Sequence, residues 1–167
     1  MIIKFREAIK EDTALILTFI RKLAEYEKLA HECVATQDDI RESLFGENPK
    51  AFCVIAEADQ KPVGFALCFY NYSTFQGKAG IYIEDLFVEE EYRGHGIGKG
   101  FFQFLAQKAK DENLGRIQWW VLDWNEPSIN FYKKMGAQMM DEWTVCRLEG
   151  DAITALCENK TSMKKAS

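Results

Sequence analysis

Histidine is nearly absent from this 167-residue chain, which holds two, and proline is sparse at three. The five cysteines, Cys33, Cys53, Cys68, Cys146 and Cys157, are an odd number and contain no C-x-x-C pair. Neither a disulfide framework nor a zinc ribbon is therefore indicated. His31 and Cys33 lie close together without a second pair of ligands, so no metal is expected. No uninterrupted apolar run approaches the ~20 residues of a membrane span. The opening MIIKFREAIKED is charged from residue 4 and lacks the apolar centre of a signal peptide. The expectation is a cytoplasmic protein that engages no membrane. Positive charge is not in excess either: 21 Lys and Arg stand against 26 Asp and Glu, a net charge of -5. That argues against a nucleic-acid partner bound by neutralising phosphates and leans toward a cationic ligand.

What the chain does have is an ordinary globular balance, 47% hydrophobic and 28% charged, which speaks against disorder and for one α+β domain over residues 1–150. Residues 151–167 form a polar extension expected to be partly flexible. IIKFREA reads as a strand. Residues 11–28 place Leu15, Phe19, Ile20 and Leu23 at helical spacing, with Asp12 or Thr13 as cap. A second helix starts at the capping Thr36 and ends before Gly46. AFCVIAEA and PVGFALCFYNY form a hairpin about the turn residues 59–62, and residues 79–89 a third strand of that meander. GKGFFQFLAQKAKDEN is helical, RIQWWVLD a strand and EPSINFYKKMG a short helix, with further strands expected within 137–149.

Between the third strand of the meander and the helix after it lies EYRGHGIGKG, residues 91–100. A P-loop needs glycine five residues before Gly98-Lys99 and a hydroxyl after it; Arg93 and Gly100 stand there. The dinucleotide pattern begun at Gly94 requires glycine at 99 and meets Lys99. What remains is Arg93-Gly94-His95-Gly96-Ile97-Gly98-Lys99, two glycines that let a ligand approach the backbone and a helix start whose free N–H groups suit an anion. A pyrophosphate fits such a loop without a metal; the other reading is a flexible turn with incidental cations.

YIEDLFVEEEYRGHGIG and WNEPSINFYKKMGA, in this order and spacing, resemble the acetyl-CoA signature of the GNAT superfamily of N-acetyltransferases, and are similar to its spermidine/spermine (diamine) and thialysine group. The likeness extends from IIKFREA through RKLAEYEK, LFGENP and VGFAL to about residue 150. It implies the GNAT-like acyl-CoA N-acyltransferase fold, a mostly antiparallel sheet splayed between its fourth and fifth strands and flanked by helices, with acetyl-CoA as co-substrate and no metal. It implies transfer of acetyl to a primary amine of a small cationic acceptor, of the diamine or polyamine type, with a thialysine- or lysine-like or protein amine as the alternative. A non-catalytic acetyl-CoA-binding module is a further alternative. Family members commonly pair as homodimers.

By the same resemblance, the backbone of Leu86, Phe87 and Val88 faces the cofactor arm, and Gly94, His95, Gly96, Ile97, Gly98 and Lys99 hold the pyrophosphate with Arg93 nearby. Asn125 and Ser128 line the cofactor, although Asn125 also suits a helix cap. Tyr132 is implied as the proton donor to the leaving thiolate; read alone, a tyrosine in NFYKK more often packs. An alkylammonium has a pKa near ~10.4 and must lose a proton before it attacks. The resemblance points to Glu84 for that task, with Asp85 beside it. Neighbours on a regular strand face opposite ways, so only one of the two is expected to face the site. Tyr26 and Glu27 match positions lining the acceptor groove, and Glu142 with Trp143 matches an acidic-plus-aromatic pair at its far end. Trp119 and Trp120 either line the groove or fill the core. With no cysteine in a nucleophile motif, direct attack is expected. Ser73-Thr74-Phe75 stands where the spermidine/spermine branch carries Asp-Pro-Trp, which predicts a weaker grip on long polyamines.

Overall fold

The computed structural model describes residues 1–158. Met1–Asn125 is one compact unit, and the chain from Glu126 onward is a second.

In the first unit the strands β1 (Ile3–Glu7), β2 (Phe52–Ala58), β3 (Lys61–Ser73), β4 (Lys78–Val88) and β5 (Ile117–Trp119) line up in sequence order as a five-stranded sheet among the described residues. The first three pairings are antiparallel, whereas β4 and β5 run parallel. Helices α1 (Thr13–Tyr26), α2 (Gln37–Phe45) and α3 (Ile97–Asp111) complete the unit. The mixed, mostly antiparallel α+β arrangement is the expected one.

Local chemistry explains the boundaries. Thr36 caps α2 by taking the Asp39 N–H at 3.2 Å, while the Asp39 carboxylate takes the Thr36 N–H at 2.8 Å. Asp12, a candidate cap for α1, is drawn elsewhere: it accepts Arg6 at 2.6 Å and the Ile9 N–H at 2.8 Å and gives α1 no side-chain cap. The Arg6 guanidinium holds the Asp12 carboxyl below its ordinary range and also meets Glu57 at 2.7 Å, tying β1 to β2. The β2–β3 turn places Asp59 and Gln60 at φ 48° and 68°, the left-handed pair that a two-residue hairpin needs.

Each sheet face carries a core. On one, α1 and α2 lay Ile16, Phe19, Leu23 and Leu44 over Ile55, Phe65 and Phe87. On the other, Phe101 and Leu105 of α3 cover Val54, Ala66, Ile81 and Ile83.

Strand β4 departs from regularity twice. Its pairing with β5 covers only Ile81, Ile83 and the residue between them, so residues 84–88 run on without β5 beside them. This is the expected splay. Opposite β3, Leu67 pairs with Asp85 while Cys68 pairs with Ile83, which leaves Glu84 as an inserted residue, a β-bulge. The insertion changes which side chains share a face. Ile81 and Ile83 pack toward α3, and so do Leu86 and Val88, whereas Phe87 packs toward α1. The expectation that regular alternation separates Glu84 from Asp85 is therefore corrected.

In the second unit α4 (Glu126–Lys134) ends at Gly136, which takes φ 92°. The strands expected within 137–149 are not formed among the described residues. Met140, Trp143, Val145 and Leu148 are exposed there, and a strand persists only where a neighbour takes its N–H and C=O groups. Within the expected extension, Asp151–Glu158 forms the helix α5; residues 159–167 lie outside the described residues.

A side chain at Gly64 would meet the Phe87 carbonyl at 2.5 Å and the Val88 Cα at 3.2 Å. Both are backbone atoms of β4 and cannot swing away. Gly64→Ala should destabilise the protein by about 1–3 kcal/mol in chemical denaturation, the usual scale for overpacking.

Candidate active site

Two chain segments meet on the α1 side of the sheet: the C-terminal end of α1 and the bulged half of β4. Glu27 is the C-cap of α1 and is half-buried, and burial raises its carboxyl above the ordinary range. Asp85 is pushed up to about 7, first by burial and then by the negative charges of Glu84 and Glu27. Glu84 itself is exposed. Two carboxylates thus bear on a third, Asp85, whose pKa lies near neutrality.

Aromatic rings border them. Tyr26 lies 6.2 Å from Trp124, and its hydroxyl is 3.5 Å from Oδ1 of the buried Asn125. The Arg93 guanidinium stacks over Tyr26 at 4.7 Å and lies 5.8 Å from the Phe87 ring, while its Nε donates to the Val88 carbonyl at 2.9 Å. Tyr26, Glu27, Glu84, Asp85, Phe87, Val88, Arg93 and Asn125 are brought to one side of the sheet. Trp124 belongs with them and was not singled out from the sequence; its place in WNEPSINFY, one residue before Asn125, was the available signal.

The tandem tryptophans separate. Trp119 meets Phe102 edge-on at 4.8 Å and packs against the α3 core. Trp120 is exposed and stands edge-on to Tyr82 at 5.7 Å. The Tyr82 hydroxyl is raised above its ordinary value by burial and by the nearby Glu84 charge. Of the two, Trp120 is therefore the one on the acidic side. Ser73 is buried, and its hydroxyl takes the Gln76 N–H at 3.3 Å, so it serves its own turn.

The glycine loop has the form an anion needs. Gly94 and Gly96 take φ 79° and 81°, and a Cβ at either would meet nothing within 4 Å, so the space beside the backbone is open. The first turn of α3 closes with the Gly100 N–H on the Gly96 carbonyl at 2.9 Å, which leaves the earlier N–H groups without a partner inside the helix. Ile97 is buried in the core and anchors this helix start, while Gly98 and Lys99 follow it; His95 and Lys99 are exposed. Leu86 and Val88 give their side chains to the core, so what they can offer a ligand is backbone.

In the second unit Tyr132 is buried, with its ring 5.4 Å from Phe131, and its carbonyl takes the Ala137 N–H at 3.1 Å. Ser128 is half-buried on α4, and Glu142 is exposed.

A family model described as the acetyltransferase (GNAT) family matches residues 17–137. The chain belongs to the GNAT acetyltransferases. A thialysine N-epsilon-acetyltransferase of Bos taurus is 38% identical over 165 residues, covering 92% of this acetyltransferase and 96% of the relative. An L-ornithine N5-acetyltransferase of Arabidopsis thaliana is 32% identical, covering 93% and 88%. Among solved structures, an integron cassette protein from the mobile metagenome of V. cholerae superposes with a TM-score of 0.79 at 25% identity, covering 95% of this chain and 99% of that one. GNAT enzymes use acetyl-CoA, and the open glycine loop, the free α3 N-terminus and the unpaired edge of β4 are a fitting set for it: N–H groups for the pyrophosphate and strand backbone for an extended amide chain.

Acetyl-CoA should raise Tm in the presence of a chelator, since backbone N–H groups need no bridging ion. Gly96→Val places a side chain in the open space at a left-handed φ; the ligand-dependent rise should vanish while a cooperative, somewhat lower transition remains. A normal rise in the variant, or its loss on chelation, would show the loop assignment to be wrong.

Proposed function

We propose that this acetyltransferase moves the acetyl group of acetyl-CoA to the primary amine of a small cationic acceptor, a short diamine or a lysine-like amino acid, by direct attack with both substrates bound. The observation that carries this reading is the meeting of Glu27, Glu84 and Asp85 beside the unpaired half of β4. Carboxylates attract an ammonium, and the one with a near-neutral pKa can take its proton. The relatives named for thialysine and ornithine, both amino acids with a side-chain amine, support the acceptor class.

Acetyl-CoA supplies a thioester whose carbonyl carbon accepts the amine. Asp85 takes one proton from the ammonium, with Glu84 and Glu27 holding the cation. As the new C–N bond forms, the C–S bond breaks, and the sulfur leaves with its electron pair. Tyr132 gives its proton to it and is restored by the second amine proton, while Asp85 releases the first to solvent. No acyl-cysteine is needed. Cys53 and Cys68 are buried, with thiols raised by desolvation, Cys68 to about 12, and so hold no thiolate at neutral pH. Because Ser73 offers no carboxylate, spermine is placed below the shorter amines. A homodimer completes the reading, on the strength of the family resemblance; sedimentation tests it.

CoA release measured over diamines, polyamines, lysine analogues and peptides tests the reading, and peptides outrunning every small amine would sink it. Tyr132→Phe keeps the ring and removes the hydroxyl; kcat should fall on the order of 10²-fold or more at nearly unchanged acetyl-CoA affinity. Near-normal kcat under rate-limiting chemistry would leave Tyr132 a packing residue.

Asp85 gives a pH signature of defined sign. The folded state holds this proton more tightly than the unfolded chain, whose carboxyl has the ordinary value of 3.8. Stability is therefore lost as pH rises from about 4 through 7. Activity needs the ionised form and should fall as pH drops through the same upper limit. Asp85→Asn should raise Tm at pH 8 yet lower kcat/KM about 10²-fold, with the acidic limb of the profile displaced. An unmoved limb would assign it to Glu84 or to the acceptor alone.

A further inference from the structure

One cation on the rim of this acidic site has no role in the transfer just described. Lys28 follows Glu27 at the end of α1 and takes φ 63°, the left-handed region. Its N–H bonds the Glu25 carbonyl at 3.1 Å, and the Leu29 N–H bonds the Ala24 carbonyl at 2.8 Å. This is the helix stop at which glycine is at home, because a Cβ there crowds the backbone. A lysine in that place retains strain that a glycine would relieve, and strain kept in this way directs attention to the side chain.

The side chain is held in a particular place. Its ammonium stands 5.5 Å over the Trp124 ring, which leans on Tyr26. Glu25, Glu27 and Glu32 are near in sequence, yet Lys28 enters no ion pair among the described residues. Arg93, another cation on this side, is committed to the Val88 carbonyl and the Tyr26 ring, and Lys22 is paired with Glu89. Glu27 links the two charges of interest: Lys28 is its neighbour in the chain, and its carboxylate acts on Asp85.

Three carboxylates welcome any ammonium and repel any carboxylate. A plain diamine needs nothing further, whereas a diamino acid brings its own carboxylate to the rim and needs a cation there. We infer that Lys28 is a specificity residue of the acceptor site, whose ammonium receives the carboxylate of an α,ω-diamino acid while the ω-amine lies at Asp85. The inference rests on the acceptor reading above. In the absence of a carboxylate, the same charge disfavours a diammonium ligand, so Lys28 both selects and rejects.

Ornithine and putrescine form the matched test pair, since putrescine is ornithine without its carboxylate. Rates with saturating acetyl-CoA and calorimetric Kd values of the two amines are measured for the unaltered enzyme and for three variants. Lys28→Gln should lower kcat/KM for ornithine about tenfold, through KM more than kcat, and raise it for putrescine; both changes should shrink at high salt. Lys28→Arg should keep the ornithine preference. Lys28→Gly should raise Tm by about 2 °C or more while losing that preference, which separates recognition from folding. Parallel changes for both amines, or an ornithine preference that survives Lys28→Gln, would overturn the role of Lys28 alone. If neither amine raised CoA release by the unaltered enzyme above the rate without amine, the acceptor reading would fall and this inference with it.

Discussion

The parting of β5 from β4 after Ile83 is the constraint on which the rest depends. A strand buried in a sheet spends its N–H and C=O groups on two neighbours, whereas residues 84–88 pair with β3 alone among the described strands. In water such an edge is a liability unless something pairs with it, and the chain meets part of the need itself through Arg93 on the Val88 carbonyl. The same edge can add an extended ligand as though it were another strand. Just beyond it the chain turns through Gly94 and Gly96 into α3, so the open edge and the helix N-terminus follow one another along a single stretch of backbone.

The acceptor side is assembled by packing from the opposite direction. Phe19 stacks on Phe65 at 5.6 Å and lies 5.9 Å from Phe87, which fixes the lower part of α1 over the sheet. Lys22 pairs with Glu89 just past β4. With those contacts made, the last turn of α1 carries Tyr26, Glu27 and Lys28 to the bulge. An apolar contact two turns away thereby sets the electrostatics of Asp85, because the burial and the Glu27 charge that raise its pKa both come from where α1 lies.

Much of this was legible in the sequence, for reasons that differ by residue. Thr36 signals its helix because a capping hydroxyl works through bonds three residues away. Gly94 and Gly96 signal open backbone because glycine alone takes their φ cheaply. The bulge at Glu84 leaves no such mark: no glycine stands there, and an inserted residue is defined only by what β3 does opposite it. The raised pKa of Asp85 was likewise hidden, since desolvation belongs to the packed state. The end of the first helix was read at residue 28 and lies there, although Lys28 stands where the usual punctuation is glycine. The strands expected within 137–149 show the reverse error, in which β-prone residues such as Trp143 and Val145 pair with no strand among the described residues.

The inserted Glu84 makes the site vulnerable to a change of chain length as well as of chemistry. Removing any one residue between Ile83 and Leu86 would let β4 heal into a regular ladder against β3. Ile83 and Leu86 already share a face, so the flanking side chains would stay where they are, but only one of the two carboxylates would remain beside Glu27. A chain shortened by one residue here would keep both cores and one carboxylate of the pair, and would lose the Glu84–Asp85 interaction that helps raise the Asp85 pKa. Strand length here is part of the catalytic apparatus, read in the counting of residues rather than in their identity.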